Sequence, residues 1–348
     1  MISIIILAHD KPELTRCCLE SICRSQIECD YELLLVDNAS TTTLQPLAEE
    51  FRSRIPAFQL LSNRENLTFS DANNLAVQHA RGDRLLFLNN DVIPRQASLS
   101  RLDSALKNDP QAGVAGARLL FPDGHRIQHA GMAQMLWGYA SNYAVGVPAN
   151  DPRVQQQKEM WAVTGAMMCV DRQLFDQVGG FCPHYKWGYE DVDFCLKVRQ
   201  TGKNVLYVPE ADALHVESAT LGSRRSRLEE EENYRFFRAV WDPILVPREL
   251  EYLHWLRTQK IRRVVVFGAG RAAAGLFRAL VTNGIDVSAF ATSNGVKAIF
   301  CERPTVNLED LRGIAFDRLM AGTQFFFEVE ETIAPFDPEG RPIFPALQ

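Results

Sequence analysis

At 348 residues, 46% hydrophobic and 23% charged, the chain has ordinary globular composition and is long enough for two domains, each with its own core. A formal net charge of −6, a pI near 5.7 and no basic stripe interleaved with aromatic residues argue against nucleic acid as a partner. No apolar run approaches the roughly 18 residues of a membrane span, and Met1 leads straight into a strand-like segment without a charged leader, so a soluble, cytoplasmic protein is expected. The eight cysteines form no Cys-x-x-Cys pair, which suits reduced packing thiols better than a zinc site or a disulfide framework.

In chain order, residues 2–8 read as a strand and residues 11–23 as a helix, with Leu14, Cys18, Leu19 and Ile22 at helical spacing. Residues 31–36 form a second predicted strand ending in Asp37-Asn38-Ala39-Ser40. A weaker helix over 44–51, a short strand over 58–61 and a helix over 69–80 stopped by Gly82 follow. Arg81-Gly82-Asp83 sits at this helix-to-strand turn and reads as a C-cap. The next stretch, 84–92, is the pivot of the chain. Its apolar run Leu85-Leu86-Phe87-Leu88 is too short for a buried helix and reads as a strand covered on both faces, which puts Asn89-Asn90-Asp91 at the strand's C-terminal edge. Open α/β sheets carry their chemistry at that edge. One carboxylate beside two amides suits a divalent cation whose shell is completed by phosphate oxygens; a plain polar turn is the alternative. Strands alternating with helices predict an α/β class, with a parallel sheet covered by helices on both faces.

After Asp91 the alternation loosens. A helix is predicted over 94–107 and a strand over 113–121, entering the turn Pro122-Asp123-Gly124. His125 and His129 would be zinc-spaced on a helix, but the flanking Asp-Gly and Gly131 predict an extended hairpin that points them apart. Residues 137–158, with Gly138, Gly146, Pro148 and Pro152, read as a mobile loop of the kind that often covers a substrate. The apolar stretch 161–170 surrounds Gly165, and a helix over 172–178 stops at Gly179-Gly180. From Asp191 onward Val192, Cys195, Leu196 and Arg199 share one side of a helix, with Glu190 and Asp191 in its first turn. The helix dipole alone favours carboxylates there. Residues 204–208 read as a strand with His215 beyond it, and 228–241 as a helix opened by a solvated acidic run.

Composition changes at Asp242-Pro243 and Pro247, so the predicted division is 1–241, a linking helix within 242–260, and a small module over 261–348. Tyr252, Leu253, Trp255 and Leu256 on that linker suit either domain packing or a dimer. The module begins with a strand to Phe267, the turn Gly268-Ala269-Gly270 and a helix over 272–281. A strand over 287–290, a helix over 308–311, a strand over 318–321 and a helix near 325–333 precede a Pro-rich tail expected to be loosely held. The Gly-rich turn resembles a dinucleotide fingerprint with Ala in its third position. The next strand ends in Ala291-Thr292-Ser293, without the acid that holds a ribose, which favours a docking or regulatory module over an NAD site.

In this order, the pieces of residues 1–240 resemble the inverting, nucleotide-sugar-dependent glycosyltransferases of family 2. The resemblance rests on segments 3–10, 35–40, 66–74 and 88–91, on Thr164-Gly165-Ala166, and on segment 188–195. Within the family it points to bacterial rhamnosyltransferase-type enzymes of surface-polysaccharide assembly. The fold implied is GT-A, a mixed sheet with helices on both faces, here followed by a small Rossmann-like domain. Asp91 matches the carboxylate of the family's Asp-x-Asp motif, with Asn89 standing in place of the first Asp. His215 matches a second metal or diphosphate contact. Mg²⁺ or Mn²⁺ is the implied cofactor, a Lewis acid on the departing diphosphate. Asp191 is the implied base for the acceptor hydroxyl, and Glu190 orients the acceptor or its loop.

The resemblance further implies a nucleoside over the ends of the first two strands. Ala8, His9 and Asp10 would line the base and ribose, and Asp37 would accept from the imide N–H of uracil or thymine. Asn66, Asn74, Asn89 and Asn90 fall on the base and diphosphate side, although Asn74 could equally brace its helix. Ala-His-Asp stands where many relatives have Thr-Tyr-Asn, and Thr68 replaces a frequent Gly. Trp187 and Tyr189 could stack on a sugar or pack in the core. The implied activity is direct, inverting transfer of a hexose or deoxyhexose from a UDP- or dTDP-sugar to a glycan or lipid-linked acceptor. Peripheral association with the inner membrane face and a homodimer both remain open. Two rivals stand beside it: an NAD(P)-dependent oxidoreductase built on the Gly268 loop, and a non-catalytic scaffold that binds a nucleotide-sugar.

Overall fold

The computed structural model describes residues 1–136, 140–186, 188–216, 227–293, 298–323 and 325–347. Trp187 and residues 137–139 of the expected loop therefore lie outside the described residues. Contacts divide the chain into two compact units, Met1–Met132 with Pro148–Phe237, and Ala133–Val147 with Arg238–Gln348.

The chain opens with β1 (Ile2–Ala8), α1 (Pro12–Arg24), β2 (Tyr31–Asp37), α2 (Gln45–Arg52), β3 (Phe58–Ser62), α3 (Phe69–Val77) and β4 (Arg84–Asn89). β5 (Val92–Pro94), α4 (Ser98–Asn108), β6 (Ala112–Leu120), β7 (Ile127–His129), β8 (Met132–Met135) and β9 (Ala140–Asn142) follow. Then come β10 (Lys158–Glu159), β11 (Met167–Asp171), α5 (Arg172–Gln177), α6 (Glu190–Gln200), β12 (Asn204–His215) and α7 (Arg227–Thr258).

The first unit is built on a mixed sheet in the order β10-β12-β6-β11-β4-β1-β2-β3, with β5 on β12 and β7 on β6. β1, β2, β3 and β4 are parallel, while β11 enters antiparallel between β4 and β6. Leu85, Leu86, Phe87 and Leu88 of β4 are all buried, as a strand covered on both faces requires. Their alternation sorts them between two layers. Leu86 and Leu88 join the core beneath α1, α2 and α4, and Phe87 packs against Phe175 and Phe181 on the opposite face.

Two boundaries differ from expectation. Pro94 does not open a helix; Val92–Pro94 pair antiparallel with β12, and the helix starts only at Ser98. β12 continues past Val208 through a register shift to His215. Both differences arise from one long-range ladder, which local periodicity does not report.

The second unit adds β13 (Arg263–Phe267), α8 (Arg271–Thr282), β14 (Asp286–Thr292), β15 (Ala298–Phe300), β16 (Arg303–Asn307), β17 (Arg318–Ala321), α9 (Phe326–Ile333) and β18 (Ala346–Leu347). Its sheet runs β15-β16-β14-β13-β17, parallel except for β15. Residues 308–313 form a 3₁₀ turn rather than an α-helix. A Cβ at Gly322 would lie 2.8 Å from the Ala273 Cα, so only glycine lets α8 pack this closely on the end of β17. Pro243 and Pro247, read as a break, lie inside α7. Each removes a backbone donor, but Arg238 bridges Asp242 and Glu249 and fully buried Leu245 anchors the turn between them.

Parts of both segments expected to be loose are laced into this unit: β9, inside the expected 137–158 loop, joins a three-stranded sheet with β8 and β18, and the Tyr143 ring packs 5.1 Å from Phe327. β8 pairs with β18, and the Leu136 N–H donates to the Pro345 carbonyl at 2.9 Å. Met135 and Leu136 are fully buried with Leu253, Val264 and Ile343. The tail is fixed where Ile343 donates to Leu319 and accepts from Ala321, at 2.7 and 2.9 Å. Glycine and proline signalled turns at 137–158 and after Pro335, but the strand that β18 of the tail pairs with, β8, lies about two hundred residues away in sequence. Truncating Leu136 to Ala should therefore lower stability by about 2–5 kcal/mol. Urea unfolding followed by tryptophan fluorescence measures this, and a change under about 0.5 kcal/mol would mean that the segment is not part of the core.

Candidate active site

The parallel strands β1 and β2 end side by side, and their following loops are tied together. The Asp37 carboxylate accepts from the backbone N–H groups of Ser40 and Leu44, at 2.9 and 3.4 Å. Across the gap, Asp10 accepts from the Thr41 backbone N–H and hydroxyl at 2.7 and 2.8 Å, and its own N–H donates to the Ser40 hydroxyl. His9 Nδ1 lies 2.9 Å from the Asn38 carbonyl. Asp10 and Lys11 both have positive φ, 55° and 53°. Two successive non-glycine residues in that region store strain that the surrounding hydrogen bonds must offset.

Asn38 is the centre of this edge. Its side-chain oxygen accepts from Asn63 and from the Leu67 N–H, while its amide donates to Asn66 and to the Leu67 carbonyl, at 2.8–3.1 Å. Buried on all sides, it fastens the 63–67 loop to the end of β2. Nothing in the sequence beyond its place in segment 35–40 marks it for this role.

Asp91 follows β4 in the turn to β5. Because His215 stands opposite Val92 in the β5–β12 ladder, and the Val216 N–H donates to the Asp91 carbonyl at 3.0 Å, the two side chains converge. His215 Nε2 lies 3.4 Å from Asp91 Oδ1, with only 11% and 8% of the side chains exposed. On the far side of the ring, Nδ1 is 2.7 Å from Gln128 Oε1, and Gln128 Nε2 donates to the His215 carbonyl at 3.3 Å. An oxygen and an imidazole nitrogen aimed at one point fit Mg²⁺ or Mn²⁺ that takes its other ligands from phosphate and water. Among the described residues no three His, Cys, Asp or Glu side chains gather into a closed metal cage.

Asp191 lies in the first turn of α6, and both carboxylate oxygens are held. Oδ2 accepts from the Gly165 N–H at 3.1 Å and Oδ1 from the Val192 N–H at 2.8 Å, with the Thr164 hydroxyl adding a third donor. Burial pushes this carboxyl above the usual carboxylate range, and the three donors pull it part of the way back. A Cβ at Gly165 would meet the Phe69 ring at 3.0 Å, so a larger residue would displace the turn that holds Asp191. That turn also reaches β4, since the Asn89 N–H donates to the Ala166 carbonyl at 2.9 Å. The 164–166 turn thus joins the Asp91 edge to the Asp191 helix.

The structure brings His9, Asp10, Asp37 and Asn66 to one edge, Asp91 and His215 to one point, and Asn89 and Asp191 to either side of one turn. Glu190 opens α6 beside Asp191. Three expected ligand contacts are redirected. Ala8 is fully buried in the core and offers the edge only its carbonyl, which accepts from the Asn38 N–H. Asn90 turns down to donate to the Thr15 hydroxyl of α1 at 2.9 Å. Asn74 donates to the Phe181 carbonyl and accepts from its N–H, at 2.8 and 3.1 Å, so it braces α3. In each case the side chain meets a buried backbone or hydroxyl partner that sequence spacing does not reveal. The Tyr189 ring packs 4.8 Å from Phe237. His129, once weighed as a zinc ligand, is buried and accepts from the Thr164 N–H at 3.3 Å.

Four parallel strands extended by antiparallel β11 into a mixed sheet with helices on both faces are the layout of a GT-A fold. The crystal structure of GalNAc-T7 with UDP, GalNAc and Mn²⁺ superposes with a TM-score of 0.57 at 16% identity, covering 82% of this chain and 55% of that one. The family model for glycosyl transferase family 2 matches residues 3–179, about half of the chain, and a second model described as the N-terminal domain of galactosyltransferase matches residues 149–218. The chain belongs to glycosyl transferase family 2.

Among curated relatives, protein y4gI of Sinorhizobium fredii is 33% identical over 67% of this chain, and the O-antigen biosynthesis protein RfbC of Myxococcus xanthus 30% over 71%. The matched regions make up only 27% and 19% of those two proteins. The N-acetylglucosaminyl-diphospho-decaprenol L-rhamnosyltransferase of Mycobacterium tuberculosis is 26% identical over 55% of this chain and 68% of its own length. Among the described residues no helix is long and apolar enough to cross a membrane.

The raised Asp191 carboxyl has a pH signature. An acid whose folded pKa exceeds its unfolded value holds its proton more tightly when folded, so its ionisation destabilises the native state as pH rises through the folded value. The melting temperature of Asp191→Asn minus that of the wild type should therefore grow as pH rises from about 4 and level off once Asp191 is ionised. Differential scanning calorimetry across that range checks it; a difference that shrinks with rising pH would mean the carboxylate is net stabilised in the fold.

Proposed function

We propose that the first unit transfers a sugar from a nucleoside diphosphate donor to a hydroxyl acceptor with inversion at the anomeric carbon. The observation that carries this is the placement of two differently treated carboxylates on either side of one turn: Asp91 paired with an imidazole, Asp191 desolvated beside backbone donors. In this reading the nucleoside rests on the laced β1 and β2 ends, with His9 in place of a larger aromatic ring. Asp37 keeps that edge in shape through its own loop and accepts from the imide N–H with a remaining lone pair. Asp91 and His215 hold the cation, which supplies Lewis-acid stabilisation to the leaving diphosphate.

Asp191 removes the acceptor proton as the acceptor oxygen bonds to the anomeric carbon and the bond from that carbon to the diphosphate oxygen breaks. A carboxyl raised toward neutrality is better matched to that proton transfer than an ordinary one. Glu190, next in the same helical turn, orients the acceptor. The relatives named above support a bacterial polysaccharide setting, with a hexose or deoxyhexose moving from a UDP- or dTDP-sugar to a glycan or lipid-linked acceptor. Work at the cytoplasmic membrane face and a homodimer are parts of the same proposal. The second unit, Rossmann-like around its Gly268 turn, serves docking or regulation.

Binding raises the melting temperature of the native state by mass action, so thermal stability against UDP, dTDP, GDP, CMP and NAD, with and without Mn²⁺, tests the donor side. A metal-dependent rise with UDP or dTDP that Asp91→Ala abolishes is expected; a rise with NAD alone would sink the reading. Asp191→Asn should keep the shift yet slow transfer by about 10²–10⁴-fold, and full turnover in that variant would remove the proposed base.

A further inference from the structure

The contacts of Gln128 fix more than the position of His215. This buried side chain, in the middle of β7, touches the histidine twice: Oε1 lies 2.7 Å from the ring Nδ1, and Nε2 donates to the His215 backbone carbonyl at 3.3 Å. A backbone carbonyl can only accept, so the amide end facing it must be the NH₂ group. The other end is then the carbonyl oxygen, and an acceptor at 2.7 Å from Nδ1 requires Nδ1 to carry the hydrogen. The neutral ring therefore presents Nε2 with a lone pair, and that lone pair faces Asp91 Oδ1 at 3.4 Å.

We infer that Gln128 is a positioning residue for the cation site, holding His215 in the Nδ1–H tautomer so that Nε2 and Asp91 form a pair of acceptors with no hydrogen between them. Two acceptors brought together with little exposure are unfavourable alone and are satisfied by a cation between them. Without Gln128 the ring is free to take the Nε2–H tautomer that histidine prefers in water. It would then donate to Asp91 and close the pair. The backbone supports the arrangement independently of the side chain: β7 is held on β6 with His129 opposite Leu119, and β6 pairs with β12 with Leu120 opposite Leu214. Gln128 is thus carried to the ring by the same sheet that carries His215.

This inference rests on the proposed metal role of Asp91 and His215, and the test separates the two. The wild-type protein labelled with ¹⁵N-histidine, at alkaline pH and without metal, should show His215 as the Nδ1–H tautomer by NMR, with the assignment taken from His215→Ala. Mn²⁺ alone, titrated by EPR, should bind about 10–100-fold more weakly to Gln128→Leu than to the wild type. Gln128→Glu, which keeps an acceptor at Nδ1, should bind close to wild type. An Nε2–H tautomer in the wild type would overturn the inference, and this readout needs no Gln128 variant to fold. So would unchanged Mn²⁺ affinity in a folded Gln128→Leu protein when His215→Ala weakens it. If His215→Ala leaves Mn²⁺ binding intact, the metal reading of His215 fails instead, and the tautomer spectrum still decides what Gln128 does.

Discussion

The site depends on the backbone ladder between β5 and β12. Asp91 and His215 stand far apart in the chain, and nothing local to either would bring them together. The ladder does so because β12 bends at its register shift after Val208 and continues far enough to meet Val92–Pro94. Pro94 can end this ladder because the first residues of β5 supply the pairing and a proline is tolerated at a strand's margin. The edge built by β1, β2 and β4 is rigid for a different reason. β4 is apolar on both faces, so a one-residue slip would drive Phe87 into the layer that Leu86 and Leu88 fill and leave the Phe175–Phe181 layer with leucines in its place.

On this rigid frame the polar groups are arranged in two grades. Asp37, Asp10 and Asn38 are satisfied almost wholly by backbone and hydroxyl partners within the edge. Each hydrogen bond to a charged acceptor contributes about 1.5–3 kcal/mol, and their combined effect is to hold loops with positive φ at Asp10, Lys11 and Ala39 in one shape. Asp191 and the Asp91–His215 pair are different. Asp91 and His215 face each other with little exposure, and Asp191, although backbone donors hold both its oxygens, is shifted upward by burial. Groups of the first kind preorganise a surface; groups of the second kind keep unused capacity for a ligand or a proton.

The sequence made the pivotal strand legible because Leu85-Leu86-Phe87-Leu88 can be little other than a doubly covered strand, and the class of fold followed from alternation. Asp91, Asp191 and His215 were legible as chemistry-bearing types at the ends of elements. The meeting of Asp91 and His215 was expected only through the family resemblance, since local periodicity does not report the long-range pairing that produces it. The same limit explains Asn74, Asn90 and Ala8: residue type marked them as polar or edge-forming, but only the packing shows that their partners are Phe181, Thr15 and Asn38. Gln128 gave no signal at all, being a single glutamine in a short hairpin strand. In the second unit, turn residues after residue 137 and after Pro335 concealed two short strands, β9 and β18, that β8 joins into one sheet.

β7 is where these strands of argument meet. Successive residues on a strand point to opposite faces, and here both neighbours are used. Gln128 faces the His215 ring, while His129 accepts from the Thr164 N–H in the turn that holds Asp191. A shift of β7 along β6 by one residue would therefore disturb both carboxylates at once, the one through its imidazole partner and the other through its turn. That coupling gives a physical reason for the hairpin to be buried and short. It also means that β7, together with the β5–β12 ladder and the 164–166 turn, ties the positions of Asp91 and Asp191 to one another through the sheet.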